Sequence, residues 1–176
     1  IIMGIVVAVF MGIFLTLPIS SAAIGVALGL SGVAAGAAVA GCCANMVGFA
    51  VASYRDNGFG GLVAQGIGTS MLQMPNIVKK PIIWLPAIIA SAVTGPVSSA
   101  LLKMVNNATG SGMGTAGLVG QIMGFQSMTE AGVSPTAALI EMAVVHFILP
   151  AIIALAVSET MRKLRWIKPG DMKLDT

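Results

Sequence analysis

Charge is what this chain has least of. Only 9% of its 176 residues are Asp, Glu, Lys or Arg, against about 25% in a soluble domain. No residue from Ile1 to Tyr54 is charged. Such a stretch excludes an ordinary soluble domain. At a rise of 1.5 Å per residue, about 20 residues cross a hydrocarbon core ~30 Å thick, so this stretch holds two crossings with room to spare. Short segments alternating apolar and polar residues are also missing, which excludes a transmembrane β-barrel.

Cysteine is scarce too. Cys42 and Cys43 are adjacent in an apolar Ala/Gly run and have no spaced partners. They read as small packing residues, not as a disulfide framework or metal site. There is one His, and Met-x-x-Met spacing occurs once, at Met71–Met74, with no run of such spacings, so the twelve Met residues read as gap fillers and no metal or cofactor is expected. The net charge of +3 lies mostly in loops and at the C-terminus, where it orients a membrane protein. It does not point to nucleic acid. Neither a basic n-region nor a cleavage site marks a signal peptide. The chain begins Ile-Ile, already apolar and without an initiator Met, so the expectation is a membrane domain over 1–160 that is incomplete at its N-terminus. A soluble, basic cytoplasmic tail over 161–176 follows.

What is present is an all-α, polytopic bundle with a repeated motif. Gly-x-Gly-Thr-x-x-Leu occurs at Gly66–Leu72 and again at Gly112–Leu118. The chain reads as an apolar helix over 1–17, a break at Pro18 and Ser20-Ser21, and a Gly/Ala/Val run over 22–53 that Ser31-Gly32 divides. Its recurring glycines let helix backbones approach closely. Arg55–Gly58 reads as a turn. The first motif region, 59–75, is short and carries Gln65, Thr69, Ser70 and Gln73. A full span over 82–102 follows, with Gly95-Pro96 as a kink. Asn106–Gly112 reads as a polar, flexible linker and 113–128 as the second motif region. Asn107-Ala108-Thr109 matches a glycosylation acceptor but reads as part of a polar loop. Ser134 and Pro135 form an N-cap and first helical position for a last span over 136–157.

Non-helical backbone at membrane depth is tolerated only when buried in protein or lining a wet cavity. The two motif regions therefore read as re-entrant or broken helices. Arg162, Lys163, Arg165, Lys168 and Lys173 place the C-terminus in the cytoplasm. Counting back, Lys79-Lys80 and Arg55 are also inside and Lys103 outside. The two motifs then enter from opposite faces, the inverted arrangement of many transporters, whose sites lie near the midplane.

The motif is not a nucleotide loop, since it lacks Gly-Lys-Ser/Thr and a third Gly after a strand. The expected binding residues are Gln65, Gly66, Gly68, Thr69, Gln73, Asn76, Gly112, Gly114, Thr115 and Gln121. Their neutral amides, hydroxyls and main-chain N–H groups suit a sugar or polyol better than an inorganic ion. Glu130 is a turn acid that could line the mouth of the second motif. Glu141 and His146 are ionisable residues within an apolar span, where such residues are costly and mark function by default. Five positions put them about 140° apart on an ideal helix, so a direct pair needs distortion, and Pro150 supplies a cause by freeing the carbonyl of His146. No catalytic residue is expected.

The stretch Gly60–Ile77, the pieces Ser111–Thr115 and Gly117–Gly120, and the tail Trp166-Ile167-Lys168-Pro169-Gly170-Asp171 resemble the PfoR-type membrane proteins. These are classed with the enzyme IIC components of the bacterial sugar phosphotransferase system, and the resemblance is to their C-terminal part. It implies a sugar permease of the bacterial cytoplasmic membrane, a homodimer at most supplying the channel, with phosphate from separate IIA and IIB proteins. Two other functions stay open at this stage: a membrane regulator or sensor of the PfoR type, and an ion- or proton-coupled carrier using Glu141 and His146.

Overall fold

Helix boundaries follow the punctuation in the sequence. A computed structural model describes residues 1–175. Helix α1, Ile2–Thr16, stops at Leu17, which takes extended angles (φ −68°, ψ 153°) because the residue before a proline is disfavoured in the helical region. Ser20 caps α2, Ser21–Ala27, by accepting a hydrogen bond from the Ala23 N–H at 3.2 Å. Gly29 and Gly32 then take positive φ, which a side chain would resist, and α3, Gly32–Ala52, begins. The division at Ser31-Gly32 is therefore real.

Helix α4, Tyr54–Val63, is interrupted at Gly58 (φ 60°, ψ −156°), the turn expected there. It continues into a π-helical turn, Ala64–Gly68, then a 3-10 turn, Ser70–Gln73, and α5, Met74–Lys79. Helix α6, Leu85–Pro96, lies within an apolar span Pro81–Leu101 that passes into a π turn at Val97–Leu101. The linker expected to be flexible is instead packed. It contains α7, Ala108–Ser111, capped by the Asn107 side chain, and Asn106, Gly110 and Ser111 are buried. Helix α8, Val119–Glu130, leads to α9, Pro135–Met142, which Ser134 caps as its sequence predicts. A π turn, Ala143–Ile148, joins α9 to α10, Leu149–Lys163. The described residues are all-helical apart from turns and one isolated bridge, Asn106 N–H to Gly32 carbonyl.

Three helices are long and apolar enough to cross a membrane: Gly32–Ala52, Pro81–Leu101 and Pro135–Lys163. The first is the hub. Every residue of α3 from Ala35 to Ala50 is buried, and α1, α6 and α10 pack around it. Glycine makes this closeness possible. A Cβ at Gly41 would overlap the main chain of Ala8, and one at Gly95 would overlap that of Gly4.

One end of the bundle collects the charge. Arg55 pairs with Glu159 at 2.8 Å, Arg162 with Asp56 at 3.5 Å, and Lys80 with Asp171. The far end holds the start of α3 and the Asn106 bridge. The tail does not stand off into solvent as a soluble extension. Ile167, Met172 and Leu174 are buried, the first two against Phe49, Ile77, Ile83 and Met161.

Candidate functional site

The two motif copies touch. The Thr115 hydroxyl donates to the Gly66 carbonyl and lies 3.4 Å from the Met46 sulfur. Gly114 backs onto Cys42, and Gly66 onto Ala50. Both copies therefore reach the same stretch of α3, between Cys42 and Ala50. The backbones differ. In the first copy the π turn ends at Thr69, which is extended (φ −160°, ψ 141°) and accepts the Met71 N–H at 3.1 Å. In the second, Gly114, Gly117 and Leu118 are all left-handed, at φ 55°, 54° and 58°.

Beside this junction lies a polar knot that the sequence reading missed. Asn45 donates to the Ser91 hydroxyl at 2.9 Å and the Gly41 carbonyl at 3.2 Å. Its oxygen accepts from the Trp84 indole at 2.9 Å and from Thr16 at 3.4 Å. Thr16 in turn meets Ser70 of the first copy at 2.9 Å. Thr16, Asn45, Ser70 and Ser91 are fully buried. A buried polar group needs partners, and besides Gly41 of its own helix these come from α1 and from the span Pro81–Leu101, with Thr16 passing the contact on to Ser70, so Asn45 ties α1, that span and the first copy to α3.

Three of the expected binding residues form an amide chain. Gln65 donates to Ser53 at 2.8 Å and to the Gly61 carbonyl at 3.0 Å. Gln73 donates to the Gln65 oxygen at 2.8 Å, and Asn76 to the Gln73 oxygen at 3.0 Å. The chain continues into the tail, since Gln73 also reaches the Met172 carbonyl and Asn76 the Lys173 carbonyl.

A second cluster pairs Gln121 with His146. The Gln121 amide nitrogen is 3.1 Å from His146 Nδ1 and 3.2 Å from Cys43 Sγ. Gln121 Oε1, His146 Nε2 and Glu141 Oε2 are buried with no hydrogen-bond partner among the described residues. Leaving such atoms unpaired is costly, so they are the places where a hydroxyl-rich ligand would gain most. The π turn over Ala143–Ile148 is the distortion that Pro150 was expected to cause. It carries a buried His146, yet Glu141 and His146 make no direct bond. An apolar cavity of about 180 Å³ lies alongside, lined by Val47, Ala50, Gly66, Ile67 and Phe147 among others.

The remaining expected residues lie apart from these clusters. Gly68 is exposed and has no neighbour within 4 Å of a would-be Cβ. Gly112 packs against the α2 start, where its carbonyl accepts from Ser21 at 2.6 Å. Glu130 is solvent-side, bonded to Gln126 one turn away. No group of three His, Cys, Asp or Glu among the described residues could hold a metal ion.

A family model described as "Phosphotransferase system, EIIC" matches residues 1–174. The chain belongs to this family. No curated protein and no solved structure matches it. An EIIC protein is a permease-type membrane subunit of the phosphotransferase system, and the match spans both motif copies, the three long helices and the tail. In this EIIC chain the residues that sequence reasoning missed are Thr16, Asn45, Asp56, Asn57 and Ser91. Asn45 carried a usable signal. It is the lone carboxamide in the run 22–53, and an isolated polar residue at membrane depth marks either function or a partner helix. Asp56 and Asn57 gave none, because their partners lie more than 100 residues away in the tail.

Proposed function

We propose that this EIIC protein binds a sugar between its two motif copies and passes it across the membrane, with phosphoryl transfer left to separate IIA and IIB proteins. The observation that carries the reading is the family match across 1–174. The geometry supports it. Each motif region starts and ends near one end of the bundle, the first at the charged end and the second at the far end, and Thr115 meets Gly66 where they converge. We read them as two re-entrant segments of opposite direction. By the charge rule the end carrying Arg55, Lys80 and Arg162 faces the cytoplasm.

Gln121, His146 and Glu141 are assigned to the ligand because their unpartnered atoms can exchange hydrogen bonds with hydroxyls. Gly66 and Thr115 form the seam that must part for the ligand to pass. The test is saturable binding of a panel of hexoses, hexitols and disaccharides to the intact protein in nanodiscs. One class should bind, and Gln121→Ala and Glu141→Gln should each weaken it about tenfold, the loss expected for one well-placed hydrogen bond. Absence of binding by every member of the panel would refute the reading.

A further inference from the structure

Residues 170–174 are tied along their length. The Asp56 carboxylate accepts the Gly170 N–H at 3.1 Å and the Met172 N–H at 3.3 Å. Asn57 brackets the next step, donating to the Met172 carbonyl and accepting from the Leu174 N–H, both at 2.8 Å. Gln73 donates to the Met172 carbonyl at 3.0 Å and Asn76 to the Lys173 carbonyl at 2.9 Å. Lys80 pairs with Asp171, whose carboxylate also accepts the Lys168 N–H at 2.6 Å. Met172 is completely buried and Leu174 nearly so. Asp56 and Asn57 precede the first motif segment in sequence, and Asn76 and Lys80 follow its two turns. Residues 170–174 are therefore bonded to both arms of that segment at once.

Two consequences follow from these bonds. The amide donors of Gln73 and Asn76 already hold main-chain carbonyls, so they are not available to a ligand while residues 170–174 are seated. The two arms, held by one stretch of main chain, cannot separate. We propose that residues 170–174 are a strap that closes the charged-end mouth of the first motif segment, and that its release opens this mouth. What passes through the mouth rests on the permease reading; the closure itself does not.

The experiment uses the full chain in nanodiscs, a water-soluble maleimide and no sugar. Two reporters are built separately: Leu174→Cys on the strap, and Ser53→Cys behind it, at the buried hydroxyl that accepts from Gln65. Cys42 and Cys43 are fully buried and serve as the internal control for intact folding. Asn57→Ala removes both bracketing bonds and should speed labelling of both reporters about tenfold, with Cys42 and Cys43 still slow. Asp171→Ala, which removes the ion pair at the rim, should act in the same direction by a smaller factor and decides the matter if Asn57→Ala also exposes the native cysteines. Unchanged labelling at Leu174→Cys would overturn the strap. Faster labelling there with none at Ser53→Cys would overturn its role as a closure. Either outcome leaves the sugar-binding result untouched, so the two readings fail independently.

Discussion

The two Gly-x-Gly-Thr copies share their letters and little else. In the first, Gly66 and Gly68 sit in a π turn at ordinary φ, and Thr69 turns its hydroxyl back on its own chain to cap the next turn. In the second, Gly114 is left-handed and pressed against Cys42, Gly112 is pressed against Ser21, and Thr115 reaches across to the other copy. The first copy uses glycine where there is room for a Cβ, in ordinary contact with Ala50 at Gly66 and with nothing nearby at Gly68. The second uses it where there is none. A repeated motif is thus a statement about composition, and the neighbours decide what each glycine does.

That contrast can be broken most sharply at the glycines. A Cβ at Gly112 would overlap the main chain of Ser21 and Ala22, which cannot yield as a side chain can, so Gly112→Ala should destabilise the protein by about 3 kcal/mol. Gly68→Ala, with nothing nearby, should stay within about 0.5 kcal/mol. Thermal unfolding in detergent reads both, and equal losses would erase the distinction. The knot beside the copies comes next. Asn45→Ala strips partners from Trp84, Ser91 and Thr16 together and should cost about 2 kcal/mol by the same measurement.

The threonines sharpen the comparison further. Thr115→Val breaks the bond between the copies and should cost about 1 kcal/mol, in the range of hydrogen bonds between membrane helices. Thr69→Val removes only a local cap and should cost about 0.5 kcal/mol. A larger loss at Thr69 would mean that the first copy, not the second, makes the junction.

The smallest expected effect concerns the strap over the first copy. Burial alone would raise the Asp171 carboxyl, but the Lys80 and Lys168 contacts outweigh it and hold the group below its ordinary value. A depressed folded value means that the ionised carboxylate stabilises the seated strap above about pH 3.9. This contribution is lost as pH falls through the folded value. A spin label at Leu174→Cys should therefore become more mobile below about pH 4, and the same label in Asp171→Ala should lose that step.

The helical class, the breaks at Pro18 with Ser20-Ser21 and at Ser31-Gly32, the cap at Ser134, and the distortion before Pro150 were legible because each is written in neighbouring residues. Gln65, Gln73 and Asn76 lie together, as do Gln121 and His146, and they could be picked out because polar residues are conspicuous in an apolar chain. What they bond to was not legible. The carbonyls of Met172 and Lys173 carry no side-chain signature, and a tail with five basic residues after Thr160 reads as solvated although its Ile167, Met172 and Leu174 are buried. Glu130 shows the opposite error, an acid beside the motif in sequence that faces its own helix turn.

The enclosure of α3 bears on how the chain is made. Its mean hydropathy is 1.7, with 89% of its apolar window buried, whereas the span Pro135–Lys163 reaches 2.3 with only 28% buried. The helix built of alanine and glycine is thus the one that lipid touches least in the finished protein, and it is synthesised before α6 and α10, which enclose it. Until they emerge, Asn45 lacks its Ser91 and Trp84 partners, keeps only Thr16 and the Gly41 carbonyl of its own helix, and faces lipid or the insertion machinery. A crosslinker at position 45 in arrested chains should capture that machinery up to the emergence of α6, and lose it once Ser91 and Trp84 have arrived. Capture that ends before α6 emerges would mean that α3 settles in the bilayer alone.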